Sequence, residues 1–252
     1  MLVSFPGAED TLRGYLHTPA GSGPFPAVVW NHGSEPSPGP RDELGRFYTA
    51  AGYVLFVPHR RGHGRSPGDH FADALRSRAR VEPRERVIAA LIAVHELHVA
   101  DVLAAADWLA RRPFVDGDRM VMSGVSHGGI QTVLAAEARA GMRAYVPFAP
   151  GAIAWTGNPE LHDRLRRAVV SADAPMFLLQ ARNDYSLGPS QVLGAELRRV
   201  GARNRTRIYP AYGGTRAAGH GDFACRGMDV WGTDVRGFLD EALRAGSVAA
   251  AA

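Results

Sequence analysis

Short, almost continuous apolar runs alternate along this chain with longer segments of helical periodicity, and that alternation restricts the fold more than any other feature. Ala27–Trp30, Tyr53–Val57, Arg119–Ser123, Ala144–Phe148, Met176–Gln180 and Thr206–Tyr209 read as strands. Helical patterns separate or follow them at Asp42–Ala51, about Glu85–Ala110, Gly128–Ala140, Glu160–Val170, Ser190–Val200 and about Asp229–Arg244. A strand buried on both faces is apolar throughout, and strand–helix alternation builds a mostly parallel sheet covered by helices on both sides. An opening antiparallel pair, Leu2–Phe5 and Thr11–His17, is joined by the turn-forming residues 7–10. The expectation is therefore an α/β fold with a mostly parallel central sheet of about eight strands.

The 252 residues are 46% hydrophobic and 21% charged, enough apolar material for one sizeable core. No linker composition divides them, so residues 1–247 are expected to form a single domain. Residues 66–86 and 151–173 are the two insertions able to cover a site, and 248–252 read as a disordered tail. The chain contains no lysine at all: its 29 positive residues are all arginine. That excludes a P-loop lysine and a lysine Schiff base. The net charge of +4 is spread along helix faces and carries no nucleic-acid-binding motif, so no nucleic-acid partner is expected. The lone cysteine, Cys225, rules out an intrachain disulfide and a cysteine-rich metal site, and reads as a buried small residue. The start Met1–Pro6 lacks a secretory pattern, and no run of about 18 consecutive apolar residues occurs, so the expectation is a cytoplasmic protein with no membrane partner.

The chemistry centres on Gly124-x-Ser126-x-Gly128, between an expected strand and an expected helix. A serine on a sharp strand-to-helix turn points its hydroxyl outward, and flanking glycines let neighbouring elements approach. At a helix N-terminus, free backbone N–H groups also face any developing oxyanion. Serine is a weak nucleophile without a base, and both partners occur later in the chain, in the order such a motif requires. Asp184 follows the strand Met176–Gln180, whereas Asp173 precedes that strand, at the wrong edge. His220 lies in a glycine-flanked loop before the final helix, while His17, His95, His98 and His162 fall on regular elements. The catalytic set is thus Ser126, Asp184 and His220. His95-Glu96-Leu97-His98 is not a helical zinc pair, because position 99, where the second ligand belongs, is valine. Neither a metal nor another cofactor is expected.

Over nearly its full length the chain resembles the α/β-hydrolase superfamily, in particular its dienelactone-hydrolase-like and acyl-peptidase-like serine esterases. The segments that carry the resemblance are Asn31-His32-Gly33-Ser34, Arg61-Gly62-His63-Gly64-Arg65-Ser66, Gly124–Gly128, Asp184 and Gly219-His220-Gly221. The resemblance implies an oxyanion hole formed by the backbone N–H of Ser34, or else of Gly33, together with that of His127. It also places Arg61 as the holder of its loop. Dienelactone hydrolases proper use cysteine where this chain has Ser126. Glu35, beside the oxyanion turn, and Trp155 are candidate substrate-pocket residues. The resulting expectation is a carboxylic ester hydrolase acting on a small-molecule ester. A thioesterase or an acyl-peptide hydrolase using the same triad is the alternative, and a non-catalytic binding protein on this fold the third reading. Oligomeric state stays open between monomer and homodimer.

Overall fold

The structure, a computed structural model, describes residues 1–138 and 140–249, with side chains of the last helix described as far as residue 244. Its strands are β1 (Leu2–Pro6), β2 (Thr11–His17), β3 (Phe25–Asn31), β4 (Val54–His59), β5 (Val115–Val125), β6 (Ala144–Phe148), β7 (Phe177–Ala181) and β8 (Arg205–Tyr209). They form one sheet in the order β1-β2-β4-β3-β5-β6-β7-β8. The β1–β2 and β2–β4 pairings are antiparallel, and all others are parallel. The helices are α1 (Asp42–Ala50), α2 (Phe71–Arg78), α3 (Arg84–Ala110), α4 (His127–Glu137), α5 (Pro159–Val170), α6 (Gly188–Val200), α7 (Phe223–Arg226) and α8 (Met228–Ala249).

The apolar runs are continuous because successive side chains serve two cores. Along β3, Ala27 and Val29 enter one core while Val28 and Trp30 enter the other; on β4, Val54 and Phe56 divide from Leu55 and Val57 in the same way. The first core is closed by α3, α4, α5 and α6, through residues such as Val102, Val133, Leu165 and Leu193. The second is closed by α1 and α8 through Leu44, Tyr48, Trp231 and Phe238. All the parallel strands end at one edge, where the segments after β3, β4, β5, β6 and β7 gather, as ligand-binding loops do in open α/β sheets.

The structure departs from the sequence reading in places. The polar stretch after residue 68 contains a helix, α2, with no buried residue; Phe71 at its start anchors it by packing on His63 and His127, with ring centroids 5.7 and 4.7 Å away. One aromatic anchor leaves too little periodicity for sequence to show. α3 is apolar on more than one face: Val99, Val102 and Leu109 lie in the core, yet Leu97 is exposed. By length and composition alone that helix could cross a membrane, but its C-terminal half packs on the sheet. α4 ends at Glu137, short of the expected Ala140, and residue 139 lies outside the described residues. Of the expected tail, 248 and 249 belong to α8, and 250–252 lie outside the described residues.

Candidate active site

Ser126 sits between β5 and α4 with φ 58° and ψ −116°, a backbone conformation that a non-glycine residue adopts only when its surroundings impose it. The surroundings are close-packed backbone. A Cβ on Gly124 would lie 2.6 Å from the carbonyl oxygens of Asn31 and Gly128, and one on Gly128 would collide with the carbonyls of Asn31 and His32. The two glycines thus let the turn press against the end of β3, and the Ser126 N–H donates to the Phe148 carbonyl of β6 at 3.0 Å.

Asp184 and His220 come together, as the sequence order requires of such a pair. His220 Nδ1 lies 2.8 Å from Asp184 Oδ1, both residues being buried. Oδ1 also accepts from the Tyr185 N–H at 2.6 Å, and Oδ2 accepts from Gln180 Nε2 at 2.9 Å. His220 lies on a single π-helical turn, Ala218–Asp222, of the sort that recurs at functional sites. Asn183 ties that loop down: its amide donates to the carbonyls of Tyr212 at 2.9 Å and Thr215 at 2.8 Å, and its Oδ1 accepts from the Tyr212 N–H. With Nδ1 held by the carboxylate, His220 Nε2 is buried with no hydrogen-bond partner, and Ser126 and His220 line the same cavity. Asp173 instead accepts from the Tyr145 hydroxyl at 2.9 Å. Gln180 and Asn183 escaped the sequence reading; their proximity to Asp184 was the available signal.

On the other side of Ser126 stands the Asn31–Ser34 turn. A Cβ on Gly33 would be 3.8 Å from Ser126 Cβ, so the turn borders the nucleophile. Arg60, fully buried at the end of β4, donates through Nη2 to the Gly33 carbonyl at 2.7 Å and lies 3.0 Å from His32 Nδ1. Arg60 is an interior residue because it is the first residue past a strand buried on both faces. Arg61 does hold its loop, through Asp101 at 2.8 Å and Glu9 at 2.6 Å.

Six buried histidines surround Arg60. Burial first, and then the Arg60 charge, lowers the His59 imidazole to about 4 and His63 to about 3, and holds His32 well below its ordinary value. The same causes in the same order bring His95 to about 3 and His98 to about 2. His127 is also well below its ordinary value, from burial and then its neighbours His95 and Arg60. All six are neutral at pH 7. His98 Nδ1 meets His127 Nε2 at 2.9 Å, and His95 Nδ1 meets Gln131 Nε2 at 3.1 Å. Among the described residues, no group of three or more His, Cys, Asp or Glu is arranged to hold a metal ion.

Two cavities open beside Ser126. One, of about 500 Å³, is mainly apolar, walled by Phe71, Leu91, Ile130, Ile153 and Ala154, with His95 and His127 alongside. The other, of about 420 Å³, contains His220 and the charged residues Glu35, Arg41, Asp222 and Arg226. Ser34 borders both. Glu35 is therefore beside the site, ion-paired with Arg41. Trp155 lines neither cavity: it is buried, stacked on His162 at 4.0 Å, and Ile153 and Ala154 take the place expected of it. The Trp155 indole lies in the core instead. Cys225 borders the second cavity as a buried thiol whose pKa burial raises to about 11, so it is not a thiolate.

Residues 44–157 match the prolyl oligopeptidase family, a span that includes the Ser126 turn and stops before Asp184 and His220. Among solved structures, a Pyrococcus furiosus esterase superposes with a TM-score of 0.67 at 16% identity, covering 96% of this chain and 92% of that one. The chain has the α/β-hydrolase fold. An acylaminoacyl peptidase from Pyrococcus horikoshii superposes with a TM-score of 0.63 at 19% identity, covering 89% of this chain but only 39% of the peptidase. A polyketide transferase, grgF, from a Penicillium species is 28% identical over 212 residues, 79% of this chain and 64% of the transferase. The chain thus spans under two thirds of the length of each of these two proteins.

Proposed function

We propose that this α/β-hydrolase is a serine hydrolase that cleaves a carboxylic ester through an acyl-enzyme on Ser126. The observation that carries the reading is the Asp184–His220 pair, whose unpartnered Nε2 shares a cavity with a serine on a strained strand-to-helix turn. His220 Nε2 takes the Ser126 proton as Oγ attacks the ester carbonyl. Asp184, fixed by Gln180 and the Tyr185 N–H, holds the imidazole in the tautomer that leaves Nε2 able to accept. The tetrahedral oxyanion is met by backbone N–H groups of Ser34 and His127; the latter, in the first turn of α4, has no acceptor within the helix. Each such donor is worth roughly 3–4 kcal/mol in comparable sites.

The two cavities support a division of the substrate into two halves. The leaving oxygen must receive its proton from His220, which lines only the charged cavity, so the alcohol lies there. The acyl group then occupies the apolar cavity between α2, α3 and the Ile153 turn, whose volume suits a medium-length chain or a ring. Water activated by the same histidine completes the cycle. The kinship with a polyketide transferase supports a second reading, in which the acyl group passes to an alcohol or thiol instead of water.

The test is p-nitrophenol release from a C2 to C12 ester series by the parent and by Ser126→Ala. The parent is expected to turn over with a preference for mid-length acyl chains, and the variant to lose about 10³-fold or more. Added alcohols that divert the acyl group into new esters favour transfer. A parent protein that hydrolyses no ester and forms no adduct with a fluorophosphonate removes the reading.

A further inference from the structure

We infer that Arg60 is the positioning residue of the oxyanion hole, acting through the peptide unit that joins Gly33 to Ser34. The inference rests on the serine-hydrolase reading and deepens it. The Gly33 carbonyl and the Ser34 N–H belong to one trans peptide plane, so they point in opposite directions. Arg60 Nη2 grips the carbonyl at 2.7 Å from inside the protein. Fixing that oxygen fixes the N–H, which is thereby turned outward, toward the side where both cavities open. Of the two backbone donors the sequence left open, this selects Ser34 over Gly33.

A single guanidinium nitrogen makes the anchor. Nη2 donates to the Gly33 carbonyl and lies 3.0 Å from His32 Nδ1, which is itself within hydrogen-bond distance of that carbonyl. In the tautomer that carries its proton on Nδ1, His32 donates to the same carbonyl at 2.9 Å, so imidazole and cation hold the Gly33 oxygen together. A carbonyl that accepts from a cation polarises its peptide and strengthens the N–H on the far side as a donor.

The charge is otherwise hard to account for. Arg60 is buried, touches no carboxylate, and leaves Nε and Nη1 without partners, whereas its neighbour Arg61 is fully engaged by Asp101. A buried cation lacking a contact ion pair destabilises a fold. Glu35 and Asp101 act on it only at a distance. The negative charge that develops on the oxyanion during acyl transfer is the charge this cation lacks, and it appears only in the transition state, where stabilisation accelerates the reaction.

Arg60→Met removes the charge and every donor while keeping bulk; Arg60→Lys keeps the charge on an ammonium that cannot reproduce the planar fork. Each is compared with the parent for kcat and KM per site titrated by a fluorophosphonate, and for affinity toward an alkyl boronic acid, whose adduct with the serine places an anionic oxygen in the hole. The methionine variant is expected to lose about 100-fold in kcat, the scale of a removed oxyanion donor, and to lose boronate affinity in parallel, with KM within about threefold. The lysine variant recovers part of both and stays about tenfold below the parent; it is the variant to read if methionine does not fold. Parental kcat per titrated site in either soluble variant overturns the assignment, as does a loss confined to KM or to melting temperature. A parent inert to esters and to the phosphonate overturns the hydrolase reading, and the assignment with it; an active parent with undiminished variants overturns the assignment alone.

Discussion

The two sides of Ser126 are built on opposite principles. On the acid–base side, of the side-chain polar atoms of Gln180, Asn183, Asp184 and His220 only His220 Nε2 lacks a partner: Asp184 takes three bonds, Gln180 makes four, and Asn183 straps the histidine loop. On the oxyanion side, a buried arginine stands among neutral histidines, and His32 Nε2, His59 Nε2, His63 Nε2 and two Arg60 nitrogens have no partner. Saturated hydrogen bonding gives the first side a single geometry and leaves one reactive atom. The second side holds an unbalanced positive charge that costs stability at rest. The difference teaches where each kind of precision comes from: a proton relay needs fixed distances, whereas an oxyanion site needs a fixed field.

The largest effect should come from the one open atom. His220→Ala is expected to lower kcat by about 10⁴-fold or more, since the oxyanion donors alone leave only residual catalysis. Stopped assays on the best ester of the series measure it. Retention of more than a tenth of the parent rate would mean that the saturated side is a structural brace and that the chemistry lies elsewhere.

The unbalanced side should reveal itself in stability against pH. Six histidines have folded pKa values below the ordinary 6.5, with His59 at about 4 and His63 and His95 at about 3. Below pH 6.5 the unfolded chain takes up protons that the folded chain refuses, so stability falls as pH drops from about 6.5 toward 4. The loss levels off only once the folded values are passed. Each histidine contributes up to about 1.4 kcal/mol per pH unit in that window. Urea unfolding at pH 7.5, 6 and 5 should show a loss of several kcal/mol; a flat profile would mean that these rings are hydrated and charged in the native protein.

How much of this was legible in the sequence follows from the same contrast. The sheet, its opening antiparallel pair and the triad order could be read because each rests on local signals: continuous apolar runs, a glycine-flanked serine, a histidine between glycines past the last strand. Ser34 and His127 entered only through the family resemblance, since no periodicity points to a backbone donor. Arg60 and the histidines around it could not be read. His32, His63, His95 and His127 come from four segments, two of them loops whose packing no periodicity encodes, and an arginine in an Arg-Arg pair looks solvated. Trp155 was misplaced for a related reason: sequence shows that an aromatic lies near the site, and only packing on His162 shows which way it turns.

The smallest expected effect tests whether saturation itself matters on the acid–base side. Gln180 spends both amide protons, on Asp184 Oδ2 and the Ser186 carbonyl, and both lone pairs, on the N–H and hydroxyl of Ser190. Gln180→Leu keeps the volume near that of the amide and strands the groups it served in a buried setting, at about 1–3 kcal/mol for each that finds no new partner. Thermal melting should therefore fall. In addition, Asp184 loses a fixing bond but keeps the Tyr185 N–H and His220, so kcat should drop by only about tenfold, with KM little changed. A destabilised variant with parental kcat would show that the carboxylate is held well enough by two bonds, and that the acid–base side is saturated for folding and not for catalysis.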